Sequence, residues 1–280
     1  SHCYAYDEAN GLAASTDGCR HYSYFGYNRG VQPSRLMTTP VAFDPANPAK
    51  IYLLSQAQYP KQFDGAFVTT NDGASYRKLN WPFLSPGMIV VDAKNGRHVV
   101  VGDLQGGRSS ISVSFDGGTS WTRAAGVPAT PFWYAATISP LNPNLVLATS
   151  VDAENDVFIL RSTDGGRSFK RLKNVVNAPL LRGQAETNHD ETGTTHAAAY
   201  VYSPVREIRF NQDVTRGTPD VALTTLRGAY LSRDDGSTWQ RLDGGSIAHS
   251  FWGIRWNAGH LYLASDGQGI LRSTTPLQTP

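Results

Sequence analysis

The chain has 280 residues, 25 Lys plus Arg against 23 Asp plus Glu, and a formal net charge of +2. Balanced charge without a long basic run argues against nucleic acid as the ligand, and the excess of Arg (19) over Lys (6) suits bidentate recognition of carboxylates or sugar hydroxyls instead. No apolar run is long enough to span a bilayer, and the length suits one all-β domain covering 1–280.

At the head, Cys3 and Cys19 are the two cysteines, 16 positions apart and without His partners at zinc spacing. They read as a disulfide rather than a metal site. Closing so short a loop contributes roughly 3 kcal/mol in the chain-entropy model and needs an oxidising compartment. The expected location is therefore secreted, periplasmic or extracellular, with two unpaired thiols as the alternative.

One short motif then recurs along the chain. It is weak at Ser15-Thr-Asp-Gly-Cys-Arg-His-Tyr22 and one residue short at Thr70-Asn-Asp-Gly-Ala-Ser-Tyr76. It is full at Ser114-Phe-Asp-Gly-Gly-Thr-Ser-Trp121, Ser162-Thr-Asp-Gly-Gly-Arg-Ser-Phe169 and Ser232-Arg-Asp-Asp-Gly-Ser-Thr-Trp239. Before each copy, β-rich runs alternate with Pro, Gly, Asn and Asp clusters. Examples are Ile51-Tyr-Leu-Leu54, Val99-Val-Val101, Leu145-Val-Leu147, Val221-Ala-Leu223 and Leu261-Tyr-Leu263. Nothing reads as a long amphipathic helix. Four short strands per unit of about 40–50 residues make a propeller blade. The fold class is all-β, a single β-propeller of four-stranded blades, with six blades favoured and five or seven as alternatives.

These motifs resemble the Asp boxes of the sialidase-like (BNR-repeat) propellers. In that reading the aspartate ties the turn between strands 3 and 4 through backbone N–H groups, the glycines take positive φ, and the aromatic packs between blades. Asp17, Asp72, Asp116, Asp164 and Asp234 are accordingly structural. The resemblance also implies which face works. Turns 3–4 and 1–2 share one face, so the 2–3 loops and the crossovers between blades share the other, around the central channel.

That face gathers the candidates. The crossovers hold Trp81, Trp133, Tyr134, His249 and Trp252, aromatic or planar groups able to stack on sugar rings, though packing between blades explains any one of them as well. The 2–3 loops hold Asp103, Asp152, Glu154, Arg227 and Asp266. Gly102-Asp-Leu-Gln-Gly-Gly107 and Ser265-Asp-Gly-Gln-Gly269 weakly resemble the Asp-bearing turns of xyloglucanase-type two-propeller glycosidases. A glycosidase needs two carboxyls flanking the scissile bond, one an acid and the other a base or nucleophile. Asp103 and Asp266, three blades apart, are the first pair; each acid merely capping its loop is the bland alternative. The long crossover 173–204 adds His189, Asp190, Glu191 and His196, at a spacing that matches no established zinc motif.

The expected function is an exported carbohydrate-active propeller that binds a polysaccharide or oligosaccharide and hydrolyses it. It is expected to need no cofactor or metal and to be monomeric. A lectin-like glycan-binding propeller and a protein-interaction scaffold are the rivals. No Arg-Ile-Pro motif is present near the N-terminus, which argues against a true sialidase.

Overall fold

The computed structural model describes residues 3–7, 11–15, 17–24, 41–55, 65–80, 86–103, 110–128, 133–151, 157–172, 188–189, 195–196, 205–215, 217–225, 228–242, 251–265 and 269–277. At 3–7, 11–12, 24, 133–134, 151, 157, 188–189 and 195–196 it describes the backbone path alone. Among these residues there is no helix.

Every sheet is antiparallel and runs in chain order. β1 (Cys3–Asp7), β2 (Gly11–Ser15) and β3 (Ser23–Tyr24) form a three-stranded sheet. β4 (Val41–Asp44), β5 (Asn47–Ser55), β6 (Gly65–Thr69) and β7 (Arg77–Lys78) form a four-stranded one. The next comprises β8 (Pro86–Asp92), β9 (Asn95–Asp103), β10 (Ile111–Ser114) and β11 (Thr122–Arg123). After it come β12 (Trp133–Ile138), β13 (Val146–Val151), β14 (Val157–Ser162) and β15 (Lys170–Arg171). Within the long crossover, β16 (Asn188–His189) pairs with β17 (Thr195–His196), where the sequence announces no strand. β18 (Val205–Phe210), β19 (Val221–Thr225), β20 (Gly228–Ser232) and β21 (Gln240–Arg241) form the last four-stranded sheet. β22 (Phe251–Asn257), β23 (His260–Ser265) and β24 (Gly269–Arg272) close the order.

The first strands β4, β8, β12, β18 and β22 touch in succession, which arranges five sheets as blades of a β-propeller. Of the six blades favoured from sequence, five stand in this series, four with all four strands and the last with three. The remaining set, β1–β3, is also three-stranded.

Four cores lie between neighbouring blades. The central runs of β5, β9, β13 and β19 are apolar because both of their faces are covered. Val99 and Val101 of β9 enter the core shared with the preceding blade, and Val100 enters the one shared with the next. β13 repeats the division with Val146 and Ala148 against Leu147, and β19 with Val221 and Leu223 against Ala222. The motif aromatics Trp121, Phe169 and Trp239 pack on the core between their own blade and the one before, as expected.

The recurring turn bonds to the first turn of its own blade: Asp72 N donates to Ala49 O at 3.2 Å, Gly117 N to Arg97 O at 2.9 Å and Gly165 N to Asn144 O at 2.9 Å. Both turns therefore share one end of the blade. Within the turn, Ser114 Oγ donates to Asp116 Oδ1 (2.7 Å) and accepts from Gly118 N (2.8 Å). Oδ1 also accepts from Thr119 N and Ser120 N, and Oδ2 takes the Ser120 hydroxyl at 2.5 Å. The Ser120 hydroxyl is the main reason the Asp116 carboxyl sits well below the usual carboxylate range. Ser162–Asp164 and Ser232–Asp234 repeat the scheme, and in the head copy His21 Nδ1 meets Asp17 Oδ2 at 2.6 Å.

One copy differs from its expected reading. The turn after β6 starts at Thr69, not Thr70, and is not a residue short. Thr69 Oγ1 donates to Asn71 Oδ1 (2.9 Å), which accepts from Ser75 N (2.9 Å), so Asn71 replaces the expected Asp72 as the tie. Asp72 takes the place of the first glycine, at φ +53°, as Asp235 does at φ +56°. Aspartate tolerates that left-handed region better than most residues.

Blades are also bolted to their neighbours on this face. Tyr52 Oη donates to Gly96 O of the next blade (2.8 Å), and His98 Nε2 lies 2.8 Å from Gly165 O. His98 stacks on Phe115, which carries the Arg167 guanidinium 3.9 Å above its ring.

Candidate functional site

The opposite end of the blades carries a shared irregularity. In four consecutive blades the first strand holds one residue more than its partner, at the same place. β8 pairs Pro86 with Asp103 and Met88 with Gly102, leaving Gly87 as the extra residue. β12 pairs Trp133 with Ser150 and Ala135 with Thr149, leaving Tyr134. β18 pairs Val205 with Thr225 and Glu207 with Thr224, leaving Arg206. β22 pairs Phe251 with Ser265 and Gly253 with Ala264, leaving Trp252. A bulge breaks the two-residue alternation and re-aims the extra side chain, and bulges concentrate beside active sites.

Two of these side chains meet. The Arg206 guanidinium lies 3.9 Å above the Trp252 ring, and Trp252 keeps 51% of its surface exposed. A guanidinium over an indole is held flat by the ring's negative face, with its N–H fork pointing sideways. One step along, Glu207 ties β18 to β22. Its Oε2 accepts from Ile254 N (2.7 Å), while Oε1 takes Arg209 Nε and Nη2 (both 2.7 Å) and Arg255 Nη1 (3.1 Å). Both oxygens are engaged, so Glu207 positions strands and arginines and is not an open base. The Phe210 N–H on the same inner edge is taken by Thr137 Oγ1 of the preceding blade at 3.2 Å.

Asp103 ends β9 at this end of its blade, 4% exposed, with its N–H donating to Ser110 O at 2.9 Å. Asp103 faces Pro86 just before the bulge, and in the last blade that place belongs to Ser265, facing Phe251. Asp266 is one position further on and lies outside the described residues, as do Asp152, Glu154, Asp190, Glu191, Trp81, Arg227 and His249. For Trp133, Tyr134, His189 and His196 only the strand position is described. Among the described residues no group of three His, Cys, Asp or Glu could hold a metal ion, and no cysteine is free.

Arg206, Glu207, Arg209 and Arg255 are absent from the sequence-based candidates. The signal was present. In Val205-Arg-Glu-Ile-Arg-Phe210 two polar residues interrupt strict alternation, the trace that a bulge leaves in a half-buried strand.

No protein-family model matches the chain. A curated relative, the probable oligoxyloglucan-reducing end-specific xyloglucanase of Neosartorya fischeri, is 23% identical over 281 residues, taking in 76% of this chain and 32% of that protein. Among solved structures, the GH74 xyloglucanase of Xanthomonas campestris aligns with a TM-score of 0.62 and 18% identity over 85% of this chain and 34% of its own. YCF48 bound to D1 peptide aligns with a TM-score of 0.58 and 16% identity over 99% of this chain and 76% of its own. The chain thus spans about a third of the length of the xyloglucanases it matches. What these structures share with the protein is the β-propeller fold.

Proposed function

We propose that the protein is an exported carbohydrate-active propeller, built on Asp-box turns, that binds a polysaccharide on the face opposite those turns and hydrolyses its glycosidic bonds. The observation that carries this reading is the row of aligned bulges, which brings a half-exposed Trp252 and Arg206 to the end of the blades where Asp103 lies. An exposed indole offers the flat apolar face on which a pyranose ring stacks. The xyloglucanase likeness supports the same substrate class.

In the hydrolytic step, one carboxyl protonates the leaving oxygen and the other acts as base or nucleophile. Asp103 and Asp266 are assigned to these roles. The test is glucan binding and reducing-end release by wild type, Asp103→Asn and Asp266→Asn. Each variant is expected to lose at least about 100-fold in turnover while retaining affinity, and Trp252→Ala to weaken binding. Full activity in both Asn variants moves the search to Asp152, Glu154, Asp190 and Glu191. Binding without sugar release leaves a lectin-like propeller, which the burial of Asp103 favours.

A further inference from the structure

Within that glycan-binding reading, we infer that the bulge of β18 and β22 forms a subsite for an acidic sugar, a uronate-type ring bearing a carboxylate. Two guanidinium groups, Arg209 and Arg255, bind one carboxylate, Glu207, across two neighbouring inner strands, and a third, that of Arg206, lies over Trp252 on the same two strands. The described cluster therefore carries a net positive charge. A neutral glycan needs no such excess.

The donors are also in place. Nη1 of Arg255 spends its hydrogens on Glu207 Oε1 (3.1 Å) and Ile254 O (2.6 Å). Its Nε–H and both Nη2 hydrogens have no acceptor among the described residues, and its side chain is 68% exposed. That leaves a planar fork open to solvent, the geometry that grips a carboxylate through two parallel hydrogen bonds. The same two strands carry Trp252 with Arg206 over its ring, so an apolar platform with a cationic edge and an open fork belong to one strand pair. A uronate presents the matching pair on one residue, a ring face for the indole and an exocyclic carboxylate for the fork. An acidic peptide supplies the charge without the ring.

The test measures binding of an oligogalacturonate, a neutral xyloglucan oligosaccharide and poly-glutamate to wild type, Arg206→Gln, Arg255→Gln and Arg255→Lys. Thermal melting checks that each variant is folded. The expected result is tighter binding of the oligogalacturonate than of either other probe, weakened by added salt and reduced about tenfold in each Gln variant. Arg255→Lys, which keeps the charge but loses the fork, should recover only part of it. Binding of the neutral sugar alone, or oligogalacturonate affinity unmoved in folded Gln variants, overturns the acidic subsite and leaves the glycan reading standing. Equal binding of poly-glutamate overturns it in favour of an acidic peptide. Binding of neither sugar overturns both.

Discussion

Asp220 gives the sharpest test of how the blades hold together. It ends the first turn of its blade, is 1% exposed, and has the Arg233 Nε 3.9 Å from its Oδ1. Burial pushes its carboxyl up to about 6, with Arg233 opposing only in part. In the unfolded chain the same group titrates near 3.8. The unfolded state releases its proton first as pH rises, so this group's contribution is complete below about 4 and is lost progressively up to about pH 6. A difference of about two pH units corresponds to roughly 3 kcal/mol lost by neutral pH. Asp220→Asn keeps the shape and removes the titration. Melting wild type and variant from pH 4 to 7.5 should show the variant gaining on wild type across that window, by about 6 °C at 2 °C per kcal/mol. Carboxylates with depressed values, such as Asp116 and Asp164, act oppositely and lose their contribution as pH falls, but they are common to both proteins. Parallel melting curves with a constant offset would refute the buried-acid account.

Gly126 sits at φ +70°, where an added Cβ would overlap the Phe169 carbonyl oxygen, beside the bridge that joins Ala125 to Ser168 of the next blade. Gly126→Ala should cost at least about 2 kcal/mol, against about 1 kcal/mol for Gly217→Ala, whose φ of +81° is similar but whose Cβ meets nothing within 4 Å; equal losses by denaturant titration would discount the clash. Ser162→Ala removes the acceptor of the buried Gly166 N–H and should lower stability by about 1–3 kcal/mol without touching glycan affinity. Lost binding at unchanged melting would invert the assignment of faces. Cys3 lies across the sheet from Ser15, whose Oγ accepts from Cys19 N at 3.1 Å, and a Cys3–Cys19 bridge is expected; mass spectrometry after alkylation of non-reduced protein should find no labelled thiol, and two labelled cysteines would end the idea.

The sequence reveals the blades because each turn is chemically over-specified. A hydroxyl, a carboxylate and a positive-φ residue must fall at fixed offsets, and apolar runs such as Val99-Val-Val101 must serve two cores. The misplaced start at Thr70 shows the weakness of anchoring on Asp-Gly. Asparagine accepts the same backbone N–H, so the Asp72-Gly73 pair marks the motif one residue too late. The candidate site was harder to see because its organising feature is register. Gly87, Tyr134, Arg206 and Trp252 have no one side-chain type in common, and only strand pairing reveals that they are equivalent. The same register gives Ser265, facing Phe251, the place that Asp103 holds facing Pro86.

The side chains that cap the inner edge constrain what kind of partner this propeller can receive. An exposed strand edge ordinarily invites a peptide to add itself as another strand, using the row of free amides as its template. Here the Phe210 amide is taken by Thr137 and the Ile254 amide by Glu207, each from the preceding blade. A peptide entering the channel beside β18 or β22 finds those rungs already filled. Recognition at these two positions therefore runs through side chains and not through a backbone ladder.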